Sequence, residues 1–235
     1  MQLDEKWAFV YRKQRECDLE QSDDHRRGDC WDHVAFDPEH RLVLGVCCGK
    51  RSATRILKLL RRVKKQLHDR PPRLVTSDEF ASYATVLKLI WTKRLTYATV
   101  RKVRENGRVT QVHTRIVHGT PRAVREALRR STASRSINTS FLERHNGTDR
   151  LRNARKVRRT YRFSKDWDVH EAVTHFCAYT YNFCWCVRSL RTRCRRRTQP
   201  ARRFHPRTPA MSAGLSDHVW TLTEWLSRPV PGLAN

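Results

Sequence analysis

SFLERHNGTDRLRNARKVRRTYRFSK, residues 140–165, is the stretch on which the reading of this chain turns. Asn138-Thr139-Ser140 at its front offers capping side chains for a helix start. Arg or Lys then stands at 144, 150, 152, 155, 156, 158 and 159. The apolar stripe is weak, and Gly147 costs a helix interior about 1 kcal/mol relative to Ala, so pattern alone does not make this a core helix. A face turned towards a ligand accounts for the composition, and Glu143 is a carboxylate set among cations.

The cationic excess extends well beyond this segment. The 235 residues carry 49 Lys and Arg against 23 Asp and Glu, a net charge of +26. Residues 1–40 hold eleven acids and six bases, and residues 41–235 hold twelve and forty-three. So much self-repulsion speaks against a small-molecule housekeeping enzyme and for a polyanionic partner, with nucleic acid the leading one. Nine Arg, two Pro and no acid between Arg188 and Arg207 read as an extended phosphate-contacting arm that includes Arg195, Arg196 and Arg197. No run approaches 18 apolar residues, and no charged leader precedes an apolar segment at the N-terminus, so a soluble cytoplasmic chain without a membrane span is expected. The eight Cys form no C-x-x-C pair and read as free thiols, mostly buried.

Outward from the basic segment, local patterns predict alternating strands and helices. Leu3–Val10 alternates as a strand bearing Asp4, residues 11–30 read as loop, and 31–36 and 41–47 flank the turn-forming Asp37-Pro38-Glu39-His40, giving a three-stranded opening meander. Ser52 starts a helix whose Ile56, Leu59, Leu60, Val63 and Leu67 form one buried stripe, ended by Pro71-Pro72. Residues 74–76 are a short strand leading to Asp78, and Phe80, Tyr83, Ala84 and Leu87 stripe the next helix. A hairpin spans 95–117 about Asn106-Gly107. Thr120-Pro121 opens a helix to about Arg130. The aromatic stretch 166–186 reads as a buried structural helix in preference to a base-stacking platform, and residues 220–226 as a short final helix.

Asp4, at a strand start, Asp78, just past a strand, and Glu143, in the cationic segment, are carboxylates that surface charge balance does not explain. Converging carboxylates hold hard divalent cations, of which Mg²⁺ suits a few protein oxygens completed by water and phosphate. Two such ions about 4 Å apart stabilise both the attacking and leaving oxygens of a displacement at phosphorus.

Residues 140–165 resemble the signature of DDE transposases of bacterial insertion sequences, in particular the insertion-sequence-one family, in which E-R-H-N, a spaced Arg, an R-K pair and a closing F-S-K recur in that order. Asp4-Glu5 followed by Trp7, and Thr76-x-Asp78 followed by Tyr83, are similar to that family's two aspartate motifs. The 167–182 stretch, with His170, is similar to its C-terminal helix. The resemblance covers about residues 3–190. It implies an α/β fold with an RNase H-like core, a mixed five-stranded sheet flanked by helices, in domain 1–187, with an insertion at about 91–131 and a basic extension at 188–235 holding the arm and a short helix.

It further implies that Asp4, Asp78 and Glu143 hold two Mg²⁺, with Mn²⁺ able to substitute. Asn146 and Arg150 share the Glu143 face of a helix and would touch the scissile phosphate or its flanking strand. Arg144, Arg155, Lys156 and Lys165 would contact DNA. The activity implied is cleavage of element ends and strand transfer into target DNA, by a homo-oligomer associated with the bacterial nucleoid. Members commonly carry an N-terminal end-recognition region, whereas Asp4 lies three residues from Met1, which points to a truncated copy or to a partner product from an upstream frame. The alternatives are an RNase H-like nuclease that cuts without joining, and a non-catalytic remnant or repurposed DNA-binding protein. Among His113, His118, His145 and His175, none is needed as a base, and His145 is the one to test.

Overall fold

The first strand carries apolar side chains on both faces, and it lies at the centre of the computed structural model, which describes residues 1–18, 20–92, 94–194 and 203–228. In chain order the strands are β1 (Gln2–Val10), β2 (Gly28–Asp37), β3 (Leu42–Gly49), β4 (Val75–Ser77), β5 (Tyr97–Glu105) and β6 (Arg108–His118), with a small pair β7 (Thr192–Arg193) and β8 (Phe204–His205). The helices are α1 (Ala53–Gln66), α2 (Ser82–Ile90), α3 (Pro121–Arg130), α4 (Ser140–Arg152), α5 (Trp167–Cys184), α6 (Pro209–Ser212) and α7 (Leu222–Leu226). The main sheet runs β3-β2-β1-β4-β5-β6. β1 is antiparallel to β2 and parallel to β4, β4 is parallel to β5, and the two hairpins are antiparallel.

Residue alternation sorts the two faces of this sheet. Leu3, Ala35 and Cys47 pack with Ile56, Leu59, Leu60 and Val63 of α1 and with Tyr83 and Leu87 of α2. On the opposite side Val34, Phe36, Val43 and Val46 pack with Leu142 of α4 and with Ala178 and Tyr181 of α5. A mixed sheet therefore lies between two helical layers, an α/β arrangement.

Six strands replace the expected five. The stretch Tyr97–Val100 is buried on both faces, so β5 is an interior strand beside β4, and β6 follows it to the sheet edge. Asn106 (φ 48°) and Gly107 (φ 77°) both sit in the left-handed region that a two-residue hairpin turn requires. β2 begins at Gly28, earlier than the sequence suggests, because Gly28 pairs with Val10 at the end of β1; the remainder of the expected 11–30 loop holds 3-10 turns at Gln14–Glu16 and Ser22–Arg26. The Cys residues are free, though only Cys30, Cys47 and Cys48 are buried. No helix among the described residues is long and apolar enough to cross a membrane.

The aromatic helix divides its work. Tyr181 enters the core, while Phe176 meets Trp225 edge-on at 5.3 Å and Phe183 meets Trp220 at 4.6 Å, which docks the α7 region onto α5. Buried Asn182 also closes the free edge of β3: it accepts from the Val43 N–H (2.9 Å) and donates to the Val43 carbonyl (2.8 Å). Asn182→Ala leaves both groups buried without partners and is expected to cost about 2–4 kcal/mol. Urea unfolding checks this, and a loss below about 0.5 kcal/mol would mean that water replaces the amide.

Candidate active site

β4 is only three residues long and pairs with β1 at Gln2 and Thr76 alone, so among the described residues no strand lies beside that side of β1 from Asp4 until Val10 bridges to Ser164. Asp4 fills part of that gap itself, its carboxylate accepting the Glu5 N–H at 2.9 Å. Asp78 follows the end of β4 and caps the turn into α2 by accepting the Phe80 N–H at 3.1 Å. Oxygens of Asp4, Glu5 and Asp78 consequently lie within 4.8 Å of one another. Strand alternation directs Asp4 and Glu5 to opposite faces, and the open edge lets both reach Asp78.

Burial and the neighbouring charges leave Asp4 and Glu5 reluctant to ionise. Desolvation, followed by the charge of Asp78 and then Glu143, moves the Asp4 pKa up to about 6. Desolvation and Asp78 move buried Glu5 up to about 7, partly offset by Arg51. Among the described residues, neither Glu5 oxygen accepts a hydrogen bond. The Arg51 guanidinium, packed over Trp31 and Phe80, stands 3.6 Å from Glu5 and 3.9 Å from Asp78.

Glu143 occupies the first turn of α4, where the helix dipole favours an anion. Its field reaches Asp4, yet its carboxylate is turned to Lys102 of β5, whose Nζ lies 2.5 Å from both oxygens, and it accepts from Thr139 Oγ1 at 2.5 Å. Against desolvation, these bonds hold its pKa below the ordinary carboxylate value. Asn146, one turn later and buried, donates from Nδ2 to Asp4 Oδ2 at 2.7 Å while its Oδ1 stays unpartnered. Arg150, two turns from Glu143, is half-buried with an unpartnered Nε in the field of Asp4. The structure thus brings Asp4 and Asp78 together at the middle of the sheet and adds Glu5 to them, with Asn146 bonded to Asp4 and Arg51 facing Glu5 and Asp78, whereas the Glu143 carboxylate stands outside that group, on Lys102. No protein-family model matches the chain, and no curated protein is significantly similar to it.

Arg144 and Lys165 are exposed and Arg155 is half-exposed, with the Lys165 ammonium 3.1 Å from the Phe163 ring centroid. Lys156 does not fit a phosphate contact. It is 1% exposed, and its Nζ lies 2.7–2.8 Å from both Asp32 oxygens and 2.8 Å from His170 Nε2. His145 is buried between Phe36 and Tyr181, and desolvation lowers its pKa to about 4. Arg195, Arg196 and Arg197 lie outside the described residues.

The Lys156 contacts belong to a network that composition and spacing gave no means to find. Lys6, on the same β1 face as Asp4, pairs with Asp32 at 3.4 Å and with Asp149 of α4, while His170 bonds Ser164 at 2.8 Å. Cys30, Asp32 and His170 are close enough for a metal cluster, but the Lys156 ammonium already supplies the cation there. The only outward sign was a lysine in mid-strand.

Three oxygen donors of which one is buried with both lone-pair sets unused, beside a fourth carboxylate, form a donor set that suits a hard divalent cation. Such a site gathers negative charge that burial and mutual repulsion both oppose.

Proposed function

We propose that this chain is a DNA transposase of the DDE type, built on an RNase H-like core, which cuts the ends of an element and joins them to target DNA. The observation that carries the reading is the meeting of Asp4 and Asp78 with Glu5 at an open strand edge, beneath a helix bearing Glu143, in a chain of net charge +26. The first Asp on β1, the second just past β4 and the Glu on a later helix is the order that the insertion-sequence-one resemblance implies.

Asp4, Asp78 and Glu143 would hold Mg²⁺, or Mn²⁺ in its place, which supplies Lewis acidity at the phosphate and eases deprotonation of a nucleophile. The side chains around them have separate tasks. Asn146 fixes the rotamer of Asp4 through its 2.7 Å bond. Arg51 balances the charge of Glu5 and Asp78 without forming a tight pair. Lys102 is the counterion of Glu143. Arg150, Arg144, Arg155 and Lys165 flank the same helix and its continuation, where phosphates would lie. Work on two element ends calls for a homo-oligomer on DNA, in the bacterial cytoplasm.

Incubation with supercoiled plasmid and a labelled duplex carrying a free 3′-hydroxyl, in Mg²⁺ or Mn²⁺, tests the reading. Nicking and insertion of label are expected, and Asp78→Asn should lower both on the order of 10³-fold, about 4 kcal/mol of transition-state stabilisation. Cutting without joining would make the chain a nuclease, and DNA binding with neither would make it a non-catalytic remnant.

A further inference from the structure

The hairpin of β5 and β6 changes character along its length. Tyr97–Val100 is core, but from Arg101 through Arg115 every residue is exposed or half-exposed, and among the described residues no helix packs across either face. Arg101–Glu105 and its partners Arg108–His113 extend roughly 15 Å past the buried part. Val109 and Val112 are 43% and 54% exposed. A two-stranded ribbon standing alone in water is marginally stable, so this one is built to lie against something.

Charge identifies the partner. Residues 101–115 include Arg101, Lys102, Arg104, Arg108 and Arg115 against one carboxylate, Glu105. Such an edge repels a second copy of itself and suits a polyanion. Alternation places Lys102 on the face towards α4 and Arg101 and Arg115 on the other, with Arg104 and Arg108 near the tip, so both faces present cations. Arg108 and Arg115 form no ion pair among the described residues. The B-form major groove, about 12 Å wide, admits a two-stranded ribbon with phosphates along both walls.

The root of the ribbon touches the carboxylate edge at two points. Lys102 binds Glu143, and Arg101 Nε lies 4.0 Å from Glu79, the neighbour of Asp78. A duplex gripped by the ribbon would therefore lie beside the carboxylates.

We infer that the β5–β6 ribbon is a duplex-DNA arm that enters a groove and sets the register of the backbone over the Asp4–Glu5–Asp78 edge. The register depends on the function proposed above, whereas the binding does not. The test compares the full chain with a ribbon variant, Arg104→Gln/Arg108→Gln/Arg115→Gln, and a charge-matched control on α1, Lys58→Gln/Arg61→Gln/Arg62→Gln. Binding to a fluorescent random-sequence duplex and to its single strand is measured between roughly 50 and 200 mM salt. The ribbon variant should lose about two to three units of the log–log salt slope and roughly tenfold in duplex affinity at the upper salt, and the control much less.

Equal losses in both variants would overturn the inference in favour of diffuse attraction. So would a loss confined to the single strand, or a loss that tracks a change of oligomeric state in sedimentation. If the ribbon variant is poorly folded, the single tip change Arg108→Glu decides by the same readout. Plasmid nicking is followed in parallel: a wild type that never cuts but whose ribbon variant loses duplex binding sinks the catalytic proposal and leaves the arm standing, while normal duplex binding and nicking by the variant sinks the arm alone.

Discussion

Asp32→Asn should lower stability by about 3–5 kcal/mol, because it leaves buried ammonium charge without its central counterion. Asp32 is fully buried, with Lys156 at 2.7 Å and Lys6 at 3.4 Å. Desolvation opposes its ionisation, but the fields of Lys156 and Lys6 and the bond to His170 keep its pKa well below the ordinary value. For an acid with a depressed folded pKa, the stabilisation is complete above the unfolded value of about 3.9 and is lost as pH falls through the folded one. The wild type should therefore keep this contribution at neutral pH, which is where the variant should show its full deficit in urea unfolding. Adding Lys156→Met to Asp32→Asn removes the stranded charge and should recover most of the loss, since buried pairs replaced by apolar groups of similar size are often neutral. A single-variant cost under about 1 kcal/mol, or a double variant no better than the single, would mean that water or Asp149 already neutralises the network.

This network also shows which parts of the fold the sequence could reveal. Ile56, Leu59, Leu60 and Val63 lie on one face of α1 with polar neighbours outside, and the helix follows from that spacing. Asn106-Gly107 and Thr120-Pro121 act through local backbone conformation and placed a turn and a helix start correctly. α4 was hidden for a physical reason: its buried face consists of Leu142, His145, Asn146 and Asp149, three of them polar, and a hydrophobic pattern cannot register a face buried by hydrogen bonds to Asp4 and Lys6. Lys156 was misread on the same ground, because an ammonium in an Arg-rich run gives no sign that its carboxylate stands 124 residues earlier in the chain. Asp4 and Asp78 were legible from their places at strand ends, whereas the part played by Glu5 depends on β4 being too short to cover the edge of β1.

Divalent cation should reverse the cost that the acidic edge imposes on the fold. Asp4 at about 6 and Glu5 at about 7 have pKa values raised above the unfolded 3.9 and 4.3. Acids shifted upward keep protons that the unfolded chain releases, so without cation their contribution to stability falls as pH rises from about 4 to about 7. On the function proposed above, Mn²⁺ would bind the ionised carboxylates, and at one hundred times its Kd it would add about 2.7 kcal/mol, a rise in Tm of roughly 5–10 °C for a chain of this size. That rise should be larger at pH 8 than at pH 5.5, because at the lower pH protons compete for the same oxygens. Asp4→Asn should behave oppositely on two counts. Without cation it removes one of three repelling charges and should melt at or above the wild-type temperature at pH 8, while its Mn²⁺-dependent rise should largely vanish. Scanning calorimetry with and without Mn²⁺ at both pH values reads all of these quantities. An equal Mn²⁺ shift in the wild type and in Asp4→Asn would place the cation elsewhere on the chain, and the loss of stability in cation-free Asp4→Asn would show that the Asn146 bond to Asp4 outweighs the repulsion, leaving the edge a structural feature instead of a poised site.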